Sequence, residues 1–587
     1  MMQNDSLIII GAGPAGLTAA YEATRHGREP LVLEKSALVG GIARTETYKG
    51  YRFDMGGHRF FTKSPEVEQL WDEVLSADML HRGRLSRIFY NNKFFDYPLK
   101  PFNALAGLGL IESVLILCSY VRWKLFPCKE EETFEQWVTN RFGRRLFRTF
   151  FKTYTEKVWG ISCTELKAEW AAQRIKDLSL RTAVMSMFVR PQKTIKTLID
   201  SFDYPRLGPG MLWEAVRKRV EQRGGNIRPD SDVTSIRRTG NVVDSVVLGV
   251  NGHSEILRGT HFITSMPVTE FIRKLDPPAP AAVREASSKL KYRDFLTVCM
   301  IVDQPNLFPD NWIYIHDPSV QVGRIQNFKN WSPEMVPDQS KTSLGLEYFC
   351  NEGDALWSMS DAELVELARR ELQKIGLAQA RDVIDGCVFR VPKSYPVYDS
   401  EYAQHLATVR QFMDGLENCR TIGRNGLHRY NNQDHSMLTG MYAVRNLLLG
   451  QCHELWSVNA DKEYHEEQDL SPELDAQIGS IFARLDSLAM GLATAVIAAL
   501  GLWMATMLLV LKGGRVVGPH LALLWQFFPG FSVTPAGSII GLLYGLAVGF
   551  TVGYAFSAVR NLVLFLHWAL VLRREQHRSL RRLLEYV

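Results

Sequence analysis

The sequence lacks the usual marks of metal centres, disulfide frameworks and nucleic-acid interfaces. Its eight cysteines include no C-x-x-C pair and no regular spacing, which is typical of a reduced protein with scattered core thiols and predicts no metal site. The net charge is only +5, and no run of lysine and arginine is interleaved with aromatic residues, so we expect no nucleic-acid partner. Because the first residues are polar and a short strand follows them, we also expect no secretory signal peptide.

Charge is also absent from two long stretches near the C-terminal end, residues 487–511 and 521–559. A helix that crosses a bilayer needs about 20 apolar residues, so each stretch is long enough for one transmembrane helix. We predict a membrane domain over residues 486–572; a buried hairpin in a soluble protein is the alternative. Positive residues favour the cytoplasmic side. The basic tail at 573–587 therefore predicts a multi-pass protein of the inner (cytoplasmic) membrane whose main body faces the cytoplasm.

The second apolar stretch has a glycine at every fourth position. These glycines are Gly537, Gly541, Gly545, Gly549 and Gly553. On a helix they form a groove, and such grooves let two helices approach closely in lipid. The predicted partner is the first stretch, which has small residues at Gly491, Ala495 and Ala499. A homo-oligomer formed through the groove is the alternative.

The N-terminal residues combine an apolar strand, a glycine-rich turn and a helix. Gly11, Gly13 and Gly16 follow the first strand directly, and Glu34 ends a second apolar strand. Such glycines permit a tight turn and a close approach of the backbone to a pyrophosphate, while an acid about 20 residues further on binds a ribose hydroxyl. This spacing predicts a Rossmann-like dinucleotide-binding domain of the α/β class.

A second glycine motif, GGIAR, occupies residues 40–44, and residues 53–60 read FDMGGHRF. Both resemble the N-terminal block of the flavin amine-oxidase clan, which implies FAD as the cofactor. The residues that this resemblance assigns to the cofactor are Gly40, Gly41, Arg44, Gly57 and His58. Oxidases, desaturases and mutases share the block, so it does not identify the reaction. The alternative for His58 is a structural role in the turn, with its hydrogen bonds made within the protein.

Six further motifs follow in order, at residues 154–160, 169–174, 208–213, 312–333, 394–396 and 423–437. Together they resemble UDP-galactopyranose mutases, and the resemblance extends over residues 6–450. It implies catalytic roles for His58, Arg174 and Arg324, with reduced flavin as a covalent nucleophile. The residues that it assigns to the substrate are Tyr154, Thr155, Trp159, Arg174, Tyr314, Arg324, Tyr395, Tyr430 and Asn432. Those that it adds to the cofactor site are Gly423, Arg424 and Asp434.

Arginine and tyrosine side chains suit a diphosphate ligand. The arginine fork matches phosphate oxygens bidentately, and tyrosine hydroxyls add donors without further charge. Ordinary packing is the alternative for each such side chain taken singly. Three departures from the mutases leave the substrate open. Arg59 follows His58 where mutases have an apolar residue, Tyr430 and Asn432 are only two positions apart, and mutases lack the membrane domain.

The pattern of strands and motifs predicts an FAD-binding domain interrupted by a substrate domain. The FAD-binding domain takes residues 1–85, 205–290 and 400–450, the substrate domain takes 86–204 and 291–399, and a connector takes 451–485. Residues 102–126 form an apolar helical stretch that contains Glu112, Arg122 and Lys124. This stretch is either an ordinary helix of the substrate domain or a helix that dips into the bilayer surface.

Two enzymatic functions fit these features. The first is mutase-like pyranose/furanose isomerisation of a nucleotide- or polyprenyl-linked sugar in envelope polysaccharide biosynthesis. For this function we expect NAD(P)H to reduce the FAD. The expected partners are membrane lipid and a glycosyltransferase. The second is an FAD-dependent oxidoreductase of the amine oxidase, desaturase or protoporphyrinogen oxidase type, acting on a lipid-soluble substrate. A flavoprotein scaffold without catalytic activity is the remaining alternative.

Overall fold

Five short apolar strands form a parallel sheet around the N-terminal strand. In sheet order they are Cys419–Thr421, His261–Thr264, Leu7–Ile10, Leu31–Leu33 and Asn226–Arg228. Strands of such sheets are apolar along their whole length because helices cover both faces. The sheet confirms the predicted α/β class. All five strands fall within the three segments assigned to the FAD-binding domain, while the domain boundaries themselves stay a prediction.

The structure is a computed structural model that describes residues 6–97, 99, 101–168, 201–250, 253–459, 486–514 and 517–584. The chain divides into two units, Met1–Gln468 and Asp469–Val587. The helices of the first unit include Pro14–Arg25, Pro65–Leu75, Pro101–Leu108, Leu110–Leu125, Phe134–Phe142, Arg144–Leu146, Thr153–Trp159, Gly210–Gln222, Val268–Arg273, Ala281–Lys289, Phe328–Trp331, Ala355–Ser358, Asp361–Lys374, Tyr402–Asp414, Gly423–Gly426 and Gln433–Leu449.

A seven-stranded sheet lies in the segments assigned to the substrate domain. In sheet order its strands are Val383–Pro396, Tyr292–Val302, Thr342–Cys350, Arg324–Asn327, Trp312–Ile315, Ser86–Tyr90 and Lys93–Asp96. The strand register places Tyr314, Arg324 and Glu347 in one row across three strands, and Trp312 and Gln326 in the next row on the same face. Side chains two positions apart on a strand share a face, so these five side chains lie on one surface.

The sequence predicts strands at residues 226–227, 233–236 and 242–250 in the returning sheet of the FAD-binding domain, and the structure places the last two in a separate sheet. Val233–Thr239 and Val242–Val250 pair with each other, and His253–Arg258 and Leu275–Asp276 complete their four-stranded sheet. The alternating pattern marks a strand, but the partner of that strand depends on distant residues. Two further pairs join Thr45–Tyr48 to Tyr51–Asp54 and Met79–Gly83 to Ser201–Pro205.

The second unit contains two long apolar helices, Ser487–Lys512 and Pro535–Leu584, with the short helix Pro519–Ala522 between them. Ser487–Lys512 and Pro535–Leu562 are long and apolar enough to cross a membrane, judged by length and composition. The second helix runs on through most of the segment predicted as a basic tail, whose arginine, leucine and glutamate residues are good helix formers.

The predicted glycine groove faces the first long helix of the same chain. A Cβ atom added at Gly545 would lie 2.6 Å from the Cα of Ala499, and one at Gly549 would lie 2.8 Å from the Cα of Ala495. Thr494 Oγ1 also donates to the carbonyl oxygen of Gly549 across the contact at 2.8 Å. The groove is therefore filled within the chain, by the partner that its small residues predict.

Candidate active site

A cavity of about 460 Å³ lies at the carboxyl ends of the parallel strands. Its walls contain the residues that directly follow three of these strands, Gly11, Glu34 and Ser265, and Gly423, which lies two positions after the end of a fourth. Open parallel sheets bind their ligands at this edge. The position of the cavity therefore agrees with the dinucleotide site that the glycine motif predicts.

Two of the motif glycines are required by close contacts. A Cβ atom at Gly16 would lie 1.8 Å from the carbonyl oxygen of Gly11, and one at Gly11 would lie 2.3 Å from Ser265 Oγ. The helix Pro14–Arg25 begins at this turn, and its first N–H groups have no partner within the helix. A glycine turn at a helix N-terminus is suited to a pyrophosphate.

Backbone hydrogen bonds hold Glu34 beside the glycine turn. Its carboxylate accepts from the N–H of Ala12 at 2.7 Å and from the N–H of Ser36 at 2.9 Å. Oε1 also accepts from the hydroxyl of Ser36 at 2.7 Å, so Oε2 is the oxygen that keeps a lone pair for a ribose hydroxyl. The donors, the acid and the length of the cavity together fit a dinucleotide cofactor such as FAD.

Arg44 lies outside the cavity wall. Its Nε donates to Glu46 Oε1 at 2.6 Å and its Nη1 donates to the carbonyl oxygen of Gly41 at 3.0 Å. These bonds fix the loop that carries Gly41, which does line the cavity. In this structure Arg44 therefore shapes the cofactor site through the backbone of the loop.

A second cavity of about 150 Å³ adjoins the first. The residues that line both cavities are Ile42, His58, Arg424, Asn432 and Gln433. Glu34 lines the first cavity alone, so a dinucleotide with its ribose at Glu34 presents its other end to the second cavity. The aromatic residues of this second cavity are Phe61, Trp71, Phe295, Trp312, Tyr314, Trp331, Tyr395 and Tyr430.

His58 lies where the two cavities meet. Its Nε2 donates to the carbonyl oxygen of Met55 at 2.8 Å, since a carbonyl oxygen can only accept. Burial lowers the pKa of His58 to about 4, and the positive charges of Arg424 and Arg324 act in the same direction. His58 is therefore a neutral imidazole at pH 7 with a fixed proton on Nε2.

Arg324 forms a two-bond ion pair with Glu347. The distances are 2.9 Å from Nε to Oε1 and 2.5 Å from Nη2 to Oε2. Glu347 is fully buried and also accepts from Gln326 Nε2 at 2.9 Å. The guanidinium predicted to clamp an anion therefore faces the cavity with its charge compensated. The sequence did hold a signal for Glu347, which is the lone acid in the apolar strand Thr342–Cys350, since a buried charge needs a partner.

Arg424 and Arg59 also line the second cavity, and the contacts of Arg424 leave its charge uncompensated. Its Nε and Nη1 donate to the carbonyl oxygens of Asn431 and Ser394, at 2.8 Å and 3.2 Å, and it forms no ion pair within the described part of the chain. Its guanidinium lies 4.6 Å from the ring centre of Tyr430, which stacks on Tyr395 at 5.6 Å. This group supplies positive charge next to two tyrosine hydroxyls.

Two buried polar atoms of the second cavity have no hydrogen-bond partner among the residues that the structure describes. They are Gln326 Oε1 and Trp312 Nε1, on neighbouring strands. The amide of Gln326 is oriented by Glu347, so its oxygen is the free acceptor. The wall of the cavity therefore holds one unpaired acceptor and one unpaired donor on neighbouring strands, and the sequence assigned neither of them a role.

The structure brings most of the predicted site residues together. Those that line one or both cavities are Gly11, Gly13, Glu34, Gly41, Gly57, His58, Tyr314, Arg324, Tyr395, Gly423, Arg424, Tyr430, Asn432 and Asp434. Those that lie behind the walls are Gly16, Gly40, Arg44, Tyr154, Thr155 and Trp159. Arg174 lies outside the described residues.

Tyr154 and Trp159 support the cavity from behind. The ring of Tyr154 contacts Tyr314 at 5.5 Å, and Trp159 contacts Tyr395 and Tyr430 at 6.2 Å each. Both residues belong to the helix Thr153–Trp159. Their role in this structure is to hold the aromatic wall in place.

The family described as flavin containing amine oxidoreductase matches residues 14–418 of the chain. The chain belongs to this family. Membership confirms a flavin-dependent enzyme of the predicted clan and implies FAD for the first cavity. As an amine oxidoreductase relative, the chain shares its cofactor site with enzymes of several kinds.

Three proteins that are similar to this chain are named for three different reactions. A 15-cis-phytoene desaturase of Synechococcus elongatus is 24% identical over 44% of this chain and 57% of its own length. A coproporphyrinogen III oxidase of Mycobacterium leprae is 22% identical over 70% of this chain and 91% of its own length. The crystal structure of reduced UDP-galactopyranose mutase aligns with a TM-score of 0.68 and 21% identity, over 78% of this chain and 98% of that chain.

The likeness to the mutase structure confirms the predicted fold resemblance. At 21% identity this likeness shows a shared fold and does not show a shared reaction. The chain spans about half the length of the phytoene desaturases that it matches. Family membership therefore implies the flavin, while the relatives differ in the reactions that their names give.

Proposed function

We propose that the protein is a membrane-anchored flavoenzyme that interconverts the pyranose and furanose forms of a sugar linked through a diphosphate to a nucleotide or a polyprenyl chain. One observation carries the proposal: Tyr314, Tyr395, Tyr430 and Arg424 meet around a cavity that adjoins the dinucleotide cavity. When bound, FAD supplies the group that reacts with the sugar after reduction, and NAD(P)H is the proposed reductant.

In this proposal the diphosphate is held mainly by Arg424 and the tyrosine hydroxyls. Arg424 keeps its full charge, while the charge of Arg324 is compensated by Glu347. Arg324 therefore donates hydrogen bonds without adding net charge. The aromatic walls exclude water from the reacting carbon, which strengthens each electrostatic contact inside the cavity.

His58 is proposed to position the flavin end of the cofactor. Its bond to Met55 fixes the imidazole ring, and its neutral state adds no charge beside the flavin. A neutral donor or acceptor next to a cofactor ring tunes the ring through hydrogen bonding alone. Asn432 and Gln433 line both cavities beside it and act as further polar contacts.

A second candidate is an FAD-dependent oxidoreductase acting on a lipid-soluble substrate. The eight aromatic side chains of the second cavity favour it, as does the neutral Arg324–Glu347 pair. A cavity of this character binds a flat apolar ring or chain by burial of surface. The desaturase and oxidase relatives bear names of this kind of reaction.

The two candidates differ in the electrons they consume. The purified holoenzyme is given NAD(P)H and nucleotide- or lipid-linked sugars, and the reductant used is compared with the product formed. A mutase makes many products per reduced flavin and is inactive with oxidised flavin. One electron pair consumed per product, or turnover by the oxidised enzyme, would exclude the mutase reaction and favour the oxidoreductase.

We further propose an inner (cytoplasmic) membrane location with two spans and the first unit in the cytoplasm. The arginines after the second span support this side; they are Arg573, Arg574, Arg578, Arg581 and Arg582. A membrane glycosyltransferase that uses the product is the proposed partner. Protease treatment of right-side-out membrane vesicles tests the topology, since cleavage of the first unit from outside contradicts it.

A further inference from the structure

The helix Leu110–Leu125 presents an apolar face to solvent. Ile111 is 80% exposed, Leu125 is 68% exposed and the adjoining Phe126 is 73% exposed. The other apolar residues of the face are Val114, Leu115, Leu117 and Val121, and Cys118 lies among them. Successive helix positions differ by about 100°, so residues 111, 114, 115, 118, 121 and 125 lie along one side. Contiguous exposed apolar patches of this kind mark interaction sites.

Three polar residues of this helix, Glu112, Ser113 and Ser119, make hydrogen bonds or ion pairs within the protein, while Arg122 and Lys124 are exposed. Ser113 is buried and donates to the carbonyl oxygen of Gly109 at 2.7 Å. Ser119 accepts from the backbone N–H of Arg145 at 3.1 Å, and Glu112 pairs with the same arginine. A helix on the surface of a soluble protein has a polar exposed side, whereas most of the exposed residues of this helix are apolar. The outward apolar face is therefore suited to an apolar medium.

Basic residues adjoin the face near its C-terminal end. Arg122 and Lys124 are exposed, as is Arg148 on the neighbouring segment, and none of the three forms an ion pair within the described ranges. Long basic side chains can lay their stems on an apolar surface while their charged heads reach the lipid phosphates. This combination matches the surface of an anionic bilayer.

A second reason to expect a bilayer is the apolar helix that follows the first unit in the chain. Residues 469–486 separate the first unit, Met1–Gln468, from the helix Ser487–Lys512, which is long and apolar enough to cross a membrane. Tethering of this kind raises the effective concentration of the membrane surface at the first unit.

We infer that the face formed by Ile111, Val114, Leu115, Leu117, Cys118, Val121, Leu125 and Phe126 is a docking surface for an anionic lipid bilayer. The apolar side chains enter the interfacial region, and Arg122 and Lys124 meet the phosphate groups. The inference rests on the membrane anchorage proposed above and is independent of the reaction at the flavin site.

The native Cys118 allows a direct test in the full-length holoprotein. On a Cys452→Ser background, Cys118 is labelled with a fluorophore and the protein is placed in nanodiscs of anionic lipid doped with nitroxide-labelled lipid. The reciprocal Cys118→Ser protein, labelled at the exposed Cys452, is the reference position. We expect severalfold stronger quenching by the lipid nitroxide at Cys118 than at Cys452, and weaker quenching in neutral lipid.

A matched pair of double variants isolates the apolar face. Ile111→Glu with Leu125→Glu is expected to abolish the quenching at Cys118. Ile256→Glu with Ile384→Glu, at isolated positions 48% and 50% exposed, is expected to leave it unchanged. The visible spectrum of the bound flavin and the melting temperature show that each variant is folded.

Three results would overturn the inference. If the protein enters nanodiscs but a water-soluble quencher acts on Cys118 as strongly as on Cys452, the docking of this face is wrong and the anchorage stands. Protection of Cys118 that grows with protein concentration in lipid-free detergent assigns the face to a second copy of the chain. A protein that does not enter nanodiscs contradicts the anchorage itself.

Discussion

The two cavities are built in different ways. The dinucleotide cavity is formed largely by backbone, at the turn around Gly11 and at the carboxyl ends of the parallel strands. The second cavity is formed by side chains from separate strands and helices, among them Tyr314, Arg324, Tyr395 and Tyr430. Backbone contacts recognise a cofactor that many reactions share, whereas side chains decide which substrate reacts.

From this difference we expect the first cavity to tolerate fewer substitutions than the second. The contacts at Gly16 leave no room for any side chain. In the second cavity, partners such as Arg324 and Glu347 can be exchanged together if the pair as a whole stays neutral. Four substitutions test this comparison, from the largest expected effect to the smallest.

Gly16→Ala is expected to remove most of the bound flavin. Its Cβ atom would lie 1.8 Å from the backbone oxygen of Gly11, and no side-chain rotation relieves that contact. Gly83→Ala is the matched control, because no atom lies within 4 Å of a Cβ there. Flavin absorbance per mole of purified protein measures the effect. Equal flavin content in the two variants would show that the turn is not the cofactor site.

Arg324→Met is expected to lower the free energy of unfolding by about 3–5 kcal/mol, because it leaves the buried Glu347 without its cation. The double variant Arg324→Met/Glu347→Gln is expected to be close to wild type in stability, with its flavin retained. Denaturant unfolding of the two single variants and the double variant gives the coupling. Additive losses would mean that the two residues do not act as a pair.

His58→Gln is expected to change how stability depends on pH. The pKa of His58 is lowered from 6.5 to about 4 by burial, so the unfolded chain binds a proton between these values that the folded protein does not bind. The wild type therefore loses up to about 3 kcal/mol from this group as the pH falls from 6.5 to 4, and the variant does not. Unfolding curves across this range measure the difference. Parallel pH profiles would contradict a buried neutral His58.

Gln326→Met is expected to have the smallest effect. It removes the free acceptor Oε1 with little change in shape, so KM for the substrate should rise by roughly fivefold to tenfold with the flavin spectrum unchanged. Gln411→Met, on the exposed side of the helix Tyr402–Asp414, is the control. An unchanged KM would mean that the substrate does not reach this row of the sheet.

The sequence predicted the cofactor side of the molecule well. The strand, glycine turn, helix and acid all lie within residues 1–34. Because they are close in sequence, their spacing is enough to predict how they are arranged. The substrate side was predicted in part. The motifs assigned Tyr314, Tyr395 and Tyr430 to the substrate, and these do meet, but they gave no role to Trp312 or Gln326 and did not include Glu347. The runs at 233–236 and 242–250 were predicted as strands of the returning sheet, but they lie in a sheet apart from the strand at 226–228. A local sequence pattern predicts a strand but not which distant strand it pairs with.

By itself, the sequence determined the α/β class, the flavin family, and the presence of two long apolar helices with a glycine groove. These depend on composition and on spacing over a few turns of helix or strand. Only the tertiary structure decided that Arg324 is neutralised while Arg424 is not, because the partner of each charge comes from a distant strand or loop. It also decided that the helix Leu110–Leu125 turns its apolar side outward, since periodicity identifies an apolar face but not the medium that covers it.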